Sequence, residues 1–208
     1  MKILFFGDSI TDMCRNRETD FTAFSYGNGY PFLVQAELGS KYPKQYEILN
    51  RGISGNRVVD LYARIKCDCW NLNPDVVSIL IGINDIWHEI ARQNGVDIER
   101  YERVYRMILE DMKKRLPDVK FMLLEPFVLE GEATKDNLEA FETVREYAKV
   151  VKKLAAEYGA IFVPLQDKFD EAAAKNGASY YLADGVHPSI VGANLIATEW
   201  VKAFEKIR

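Results

Sequence analysis

The chain has 208 residues, of which 48% are hydrophobic and 28% are charged, and its formal net charge is −4. This composition is typical of a globular protein, and the length suits a single domain, which we assign to residues 1–208. The mild negative charge and the lack of a basic run disfavour nucleic acid as a partner. The longest apolar runs, such as Val76–Ile83, are too short to cross a bilayer, so no membrane association is expected.

The cysteines give no sign of a metal or disulfide framework. There are three of them, Cys14, Cys67 and Cys69, and their spacing fits neither a zinc ribbon nor a redox pair. We interpret them as reduced structural thiols. Because no signal peptide precedes the first apolar run, the sequence predicts a cytoplasmic location.

Strand-like and helix-like segments alternate along the whole chain. Short runs rich in strand formers predict five strands, at Ile3–Phe6, Tyr46–Asn50, Asp75–Ile81, Val119–Leu124 and Ala160–Val163. Amphipathic segments predict helices at Tyr30–Tyr42, Val58–Trp70, Ile98–Leu116, Asp136–Tyr158, Gln166–Ala174 and Ile190–Lys206. This alternation indicates parallel strands joined by right-handed crossovers. It predicts a three-layer α/β/α sandwich with a five-stranded parallel sheet in the order 2-1-3-4-5.

The first predicted strand stops abruptly at Gly7-Asp8-Ser9. In open α/β sheets ligands bind outside the carboxyl ends of the strands, so this arrangement delivers Ser9 to the functional edge. A serine hydroxyl is a weak nucleophile unless a base removes its proton. Ser9 is therefore a candidate nucleophile that needs partners elsewhere in the chain.

The candidate base is His187, one of only two histidines, which directly precedes the last predicted helix. Asp184 lies three residues ahead of it and can fold back to hold the Nδ1 proton, leaving Nε2 free to accept the Ser9 proton. The alternative is a structural histidine that caps the helix. To the other histidine, His88, we assign no catalytic role.

Acyl transfer also needs donors for an oxyanion. Gly52 follows the second predicted strand and Asn84 follows the third, so a backbone N–H, a side-chain amide and the N–H of Ser9 itself are candidates. The alternative is that Gly52 and Asn84 are ordinary turn formers.

The loop Met13–Gly29 is long for a βα connection, so it is either a lid or binding wall at the functional edge, or a tethered surface loop. Three aromatic residues, Tyr26, Trp87 and Tyr181, are candidate substrate walls, with burial in the core as the alternative.

Four segments, in order, resemble the sequence blocks of the SGNH hydrolases, the GDSL-type esterases and lipases: Gly-Asp-Ser-Ile-Thr at Ser9, Arg-Gly-Ile-Ser-Gly at Gly52, Gly-Ile-Asn-Asp at Asn84 and Asp-Gly-Val-His-Pro at His187. The resemblance implies a flavodoxin-like fold and a serine esterase that uses no metal or cofactor. It also implies a triad of Ser9, His187 and Asp184, and an oxyanion hole of Ser9, Gly52 and Asn84.

A narrower resemblance is to the intracellular acetylxylan esterases of that family. It rests on Ile53-Ser54-Gly55-Asn56, on Ile81-Gly82-Ile83-Asn84-Asp85 with Trp87, and on Pro126-Phe127 before Glu130-Gly131. It implies removal of acetyl groups from xylo-oligosaccharides or related sugars. The chain departs from this pattern within Met13–Gly29 and at Tyr180–Ala183, two candidate walls of the substrate site.

Three interpretations of the function remain open. The first is a carbohydrate O-acetylesterase that acts through an acetyl-enzyme on a small-molecule or oligosaccharide ester. The second keeps the chemistry but changes the substrate, as in a lysophospholipase, thioesterase or arylesterase, and predicts a long apolar groove. The third is a binding domain without turnover, for which the set of Ser9, Asp184 and His187 would have no purpose. Association of several copies is also left open.

Overall fold

The computed structural model describes all 208 residues and is built on one five-stranded sheet. Every neighbouring pair of strands is parallel and the order is 2-1-3-4-5, so the predicted topology is confirmed. The strands are β1 (Lys2–Gly7), β2 (Glu47–Gly52), β3 (Val76–Leu80), β4 (Lys120–Leu124) and β5 (Ile161–Val163). Every residue of β3 is buried, as expected for a central strand covered on both faces.

Helices cover both faces of the sheet and make the predicted three-layer sandwich. They are α1 (Ser9–Asp12), α2 (Tyr30–Lys41), α3 (Val58–Ala63), α4 (Ile65–Asp68), α5 (Ile83–Arg92), α6 (Ile98–Arg115), α7 (Leu138–Glu142), α8 (Val144–Glu157), α9 (Gln166–Asn176), α10 (Ala178–Tyr181) and α11 (Ile190–Phe204). Helices α2 and α11 pack together on one face, and α6 packs against α3 and α8 on the other. The buried indole of Trp200 in α11 donates to Ser78 Oγ of β3 at 2.9 Å, which ties that layer to the sheet.

Two predicted helices are interrupted in the structure. The helix predicted over Val58–Trp70 breaks at Arg64, whose guanidinium turns inward and donates to the carbonyl of Gly7 at 3.1 Å. The helix predicted over Asp136–Tyr158 breaks at Thr143, whose hydroxyl donates to the carbonyl of Ala140 at 2.6 Å. In both places a side chain takes a backbone acceptor and alters the local path of the chain.

Helix α5 was not predicted, because Gly82 to Asp85 has the composition of a turn. In the structure Gly82 has φ +141°, and the helix begins one residue later at Ile83. The segment is therefore helical from Ile83 onward, and Asn84 lies in its first turn. Helix α5 thus places Asn84 at the carboxyl edge of β3.

No helix of the structure combines the length and the apolar character that crossing a bilayer requires. All three cysteines are free thiols, with Cys14 and Cys67 exposed and Cys69 buried.

Candidate active site

Ser9 is placed at the carboxyl edge of β1 by an immediate change from strand to helix. Asp8 is the N-cap of α1: its Oδ1 accepts the N–H of Ile10 at 3.0 Å and its carbonyl accepts the N–H of Asp12 at 2.8 Å. A side chain at Gly7 would come within 2.5 Å of the Leu80 carbonyl, so the strand must end in a residue without one. As the first residue of α1, Ser9 presents a partly exposed hydroxyl above the sheet.

The structure brings Ser9, His187 and Asp184 together in one hydrogen-bonded chain. Ser9 Oγ lies 2.9 Å from His187 Nε2, and His187 Nδ1 lies 2.7 Å from Asp184 Oδ2. With its proton on Nδ1 donated to Asp184, the imidazole accepts the hydroxyl proton of Ser9 at Nε2. The other carboxylate oxygen, Asp184 Oδ1, accepts the N–H groups of Val186 and His187 at 2.9 and 2.8 Å. The ring is therefore held in the orientation that a general base needs.

The ionisation of the pair follows from these contacts. Partial burial would raise the pKa of Asp184, but the hydrogen bonds from the His187 ring and from the two backbone N–H groups outweigh it and hold the pKa well below its usual range. The hydrogen bond to Asp184 raises the pKa of His187 above 6.5, against the opposing effect of burial. Asp184 is thus a carboxylate at any working pH and stabilises the imidazolium form of His187.

The loop that carries Asp184 and His187 is fastened to the segment after β4. The N–H of Leu129 donates to the carbonyl of Gly185 at 2.9 Å, and the N–H of Ala133 donates to the carbonyl of Asp184 at 2.9 Å. Gly185 has φ +99°, and a side chain at Gly131 would collide with the backbone of Asp184 and Gly185. We call this pairing of residues 129–133 with residues 184–185 the loop clasp. The loop clasp holds His187 in position through hydrogen bonds from a segment that is distant in the sequence.

Asn84 lies at the same edge of the sheet. It is buried, and its Nδ2 donates one hydrogen to the carbonyl of Asn56 at 3.1 Å. A primary amide carries a second N–H, and the structure shows no second hydrogen bond from Nδ2.

Gly52 does not fit the role predicted for it. Its N–H already donates to Asn50 Oδ1 at 2.8 Å, and the residue is packed beneath α1, where a side chain would collide with the backbone of Thr11 and Asp12. The assignment of Gly52 as an oxyanion donor is therefore wrong. Its physical role is to allow the close approach of β2 and α1.

Gly55, which the sequence did not single out, is a candidate donor in place of Gly52. Its φ is +82°, its N–H has no acceptor in the structure, and the next residue, Asn56, is the one that Asn84 contacts. The signal in the sequence was the second glycine of Gly-Ile-Ser-Gly: it comes after the strand has ended, where a left-handed conformation is needed to turn the chain.

We expect Gly52→Ala to destabilise the fold rather than to remove an oxyanion donor. Overpacking typically costs about 1–3 kcal/mol, and here the new methyl group meets backbone that cannot rotate away. Thermal unfolding should show a clear fall in Tm. The matched control is Gly39→Ala in α2, where the nearest atom to the added methyl is Gln35 Nε2 at 3.6 Å and Tm should hold or rise. Equal Tm values for the two variants would contradict this account of Gly52.

The three predicted aromatic walls have different positions. The ring of Trp87 is partly exposed, and its centroid lies 5.9 Å from that of His187, so it borders the site. Tyr26 is only 8% exposed and belongs to the core, so its prediction as an open wall is wrong. The physical reason is that its segment turns inward: the carbonyl of Tyr26 accepts a hydrogen bond from the buried side chain of Asn50 at 2.9 Å. The hydroxyl of Tyr181 bonds to Asn176 at 2.7 Å, and no hydrogen bond links it to the triad. Within Met13–Gly29 the exposed rings are instead Phe21 and Phe24, at 55% and 76%.

A cavity of about 520 Å³ lies beside α5 but away from these groups. Asp85, Glu89 and Tyr147 are among its lining residues, whereas Ser9 and His187 are not. We therefore locate the site by its hydrogen-bonded side chains rather than by cavity volume.

Known proteins resemble this chain over nearly its full length. The model of the GDSL-like Lipase/Acylhydrolase family matches residues 5–195. An acetylxylan esterase from Geobacillus stearothermophilus is 35% identical over 215 residues, which cover 100% of this chain and 96% of that protein.

Solved structures agree with these matches. A GDSL-like lipase from Parabacteroides merdae has a TM-score of 0.92 at 40% identity, covering 97% of this chain and 94% of the other. The Geobacillus stearothermophilus acetylxylan esterase has a TM-score of 0.87 at 34% identity, covering 97% and 93%. Structures of that esterase include catalytic mutants in which a serine, an aspartate or a histidine is replaced by alanine. The chain therefore belongs to the GDSL-like lipase/acylhydrolase family of carboxylic ester hydrolases.

Proposed function

We propose that this protein is a serine esterase that removes O-acetyl groups from carbohydrates, such as acetylated xylo-oligosaccharides, through an acetyl-enzyme. The observation that carries the proposal is the hydrogen-bonded chain from Ser9 Oγ through His187 to Asp184, at 2.9 and 2.7 Å. The catalytic mutants of the Geobacillus stearothermophilus relative, which replace the same three residue types, support the assignment of these roles.

The reaction proceeds in two halves. Ser9 Oγ bonds to the acetyl carbonyl carbon while His187 Nε2 takes its proton, and the carbonyl oxygen becomes an oxyanion. The C–O bond to the sugar then breaks, His187 returns the proton to the departing sugar oxygen, and the acetyl group stays on Ser9. In the second half His187 takes a proton from water, the resulting hydroxide attacks the acetyl carbon, and acetate leaves as Ser9 recovers its proton.

Three N–H donors are proposed for the oxyanion. The N–H of Ser9 has no acceptor, because the first residues of a helix have no partner within it. The N–H of Gly55 is likewise without an acceptor, and Asn84 has one N–H beyond that given to Asn56. Donors fixed in advance stabilise the charge that develops in the transition state without the cost of reorienting them.

Support for a sugar substrate comes from the relative and from Trp87. The relative is an acetylxylan esterase that is similar over the whole chain, and Trp87 offers a partly exposed aromatic face next to His187. An indole can pack against the apolar face of a sugar ring while its edge remains in water.

The test is a deacetylation screen on acetylated xylo-oligosaccharides, other acetylated sugars and p-nitrophenyl esters from acetate to octanoate, with Ser9→Ala as the control. We expect acetate to be released from the acetylated sugars, and p-nitrophenyl acetate to turn over faster than octanoate. Faster turnover of octanoate would instead favour a lysophospholipase or thioesterase and reject the acetylesterase proposal.

The pH dependence of kcat/KM should report on His187. The base works only when neutral, and its raised pKa means that activity rises with pH through a value above 6.5. Asp184 stays ionised throughout this range, so it does not contribute to this limb. A profile measured on p-nitrophenyl acetate that is flat between pH 5 and 8 would be incompatible with His187 as the base.

We also propose that the protein acts in the cytoplasm. Three free thiols, two of them exposed, suit a reducing compartment. Fractionation of the source cells should place the acetylesterase activity with cytosolic markers, and activity in the culture medium would contradict this.

A further inference from the structure

Asp8, the residue before Ser9, has a fully buried carboxyl group of which only one oxygen is hydrogen-bonded. Its Oδ1 caps α1 by accepting from Ile10, but its Oδ2 is buried without any hydrogen-bond partner. Serine, threonine or asparagine would cap the helix about as well without a charge, and an unpaired carboxylate is costly to bury. Capping alone therefore does not account for an acid at this position.

Asp8 interacts electrostatically with His187 from the loop before α11, with Asp85 of α5, with Tyr30 of α2 and with Tyr101 of α6. Asn84 of α5 acts on the same carboxyl group, and Arg64 donates to the adjacent carbonyl of Gly7. Burial raises the pKa of Asp85 well above its usual value, which keeps that group neutral, and burial likewise keeps both tyrosines protonated. Of these groups, His187 is the one whose charge changes during the reaction, and its Nε2 lies 2.9 Å from Oγ of Ser9, the residue that follows Asp8 in the chain.

The two ionisations are coupled. Burial raises the pKa of Asp8 to about 7, while the hydrogen bond from the Ile10 N–H and, next, the positive charge of His187 act to lower it. The effect is reciprocal, because the Asp8 carboxylate adds to Asp184 in raising the pKa of His187. With a pKa of about 7, Asp8 is mainly a carboxylate above neutral pH, and there each charge favours the other.

We propose that Asp8 is a positioning residue whose buried carboxylate serves, together with Asp184, as a second counter-charge for the imidazolium that forms when His187 takes the Ser9 proton. The catalytic meaning of this role rests on the proposed function. Asp8 accepts no proton in the step: the proton moves from Ser9 Oγ to His187 Nε2, and the carboxylate acts through its charge alone. Because the imidazolium exists only while the ester bond is being made or broken, Asp8 should affect kcat more than KM.

The test variant is Asp8→Asn, which keeps an Oδ1 to cap α1 and removes the charge. The chain has only two histidines, so the imidazole proton resonances of His187 can be assigned with His88→Gln and titrated by NMR. We expect the pKa of His187 to fall by about half a pH unit or more in Asp8→Asn. The acidic limb of kcat/KM should move to lower pH by the same amount, and kcat should fall about tenfold with KM within about twofold.

The matched control is Asp85→Asn. Asp85 is equally buried and accepts a backbone N–H, that of Val58, at 3.0 Å, but its charge does not contribute to the raised pKa of His187. Its replacement should leave the His187 titration where it is in the wild type. If Asp8→Asn does not fold, as judged by circular dichroism, Asp8→Ser supplies a second uncharged cap for the same titration.

An unchanged pKa of His187 in a folded, uncharged variant at position 8 overturns the proposal, and so does a shifted pKa with an unchanged kcat. The titration uses no substrate, so it is separate from the question of function. A wild-type protein inactive on every acetyl ester would refute the proposed function, whereas the titration would still measure the coupling between Asp8 and His187.

Discussion

Replacing Ser9 with alanine is expected to lower kcat for ester hydrolysis by about five to six orders of magnitude, as seen when a triad nucleophile is removed. Without Oγ no acetyl-enzyme can form, and His187 has no hydroxyl to deprotonate. The fold should be unaffected, because the Ser9 side chain makes only the hydrogen bond to His187. Release of acetate from acetylated xylo-oligosaccharides measures the activity, and thermal unfolding measures the fold.

The matched control for this variant is Ser40→Ala, an exposed serine near the end of α2. It should retain wild-type activity and a similar Tm. If Ser9→Ala kept activity within tenfold of the wild type, Ser9 would not be the nucleophile, and the mechanism built on the chain from Ser9 to Asp184 would fail.

Replacing Asn84 with alanine should have the next largest effect, a fall in kcat of about 10²–10³ with little change in KM. The reason is that the free N–H of Asn84 Nδ2 meets a full negative charge only after Ser9 has attacked the carbonyl. Steady-state kinetics on p-nitrophenyl acetate separate the two parameters.

Alanine also removes the bond from Asn84 to the carbonyl of Asn56. Asn84→Asp keeps nearly the same shape but likewise has no N–H donor and loses this bond, so thermal unfolding of both variants must show that the fold is intact. Asn137→Ala, at an exposed position, is the control and should behave as the wild type. A rise in KM at constant kcat in either Asn84 variant would assign Asn84 to substrate binding instead of the oxyanion.

The order of the sheet could be predicted because its causes are local. The apolar run of β3 and the regular alternation of strands with helices restrict the topology to a small set, and parallel strands place their carboxyl ends at one edge. The candidates for base and nucleophile followed from the same logic. His187 is one of two histidines, and Ser9 ends the first strand, so strand counting alone brought them to one edge of the sheet.

The glycine proposed as an oxyanion donor could not be predicted in the same way. Whether Gly52 or Gly55 offers its N–H depends on which one is already bonded, and the partner of Gly52 is the side chain of Asn50 in the same strand. Neither spacing nor composition encodes that bond. Tyr26 shows a similar limit, since its burial is decided by how the segment 13–29 folds back over Asn50.

The loop clasp has a consequence for how such a protein can change. Residues added within 130–133 would push the base away from its serine, since they would separate Leu129 and Ala133, which donate to the carbonyls of Gly185 and Asp184. The stretch 19–24 has no such tie to the triad, and its rings at Phe21 and Phe24 stand in solvent. We therefore expect insertions and grafted sequences to be tolerated within 19–24 and not within 130–133, so the first stretch can vary while the triad keeps its geometry.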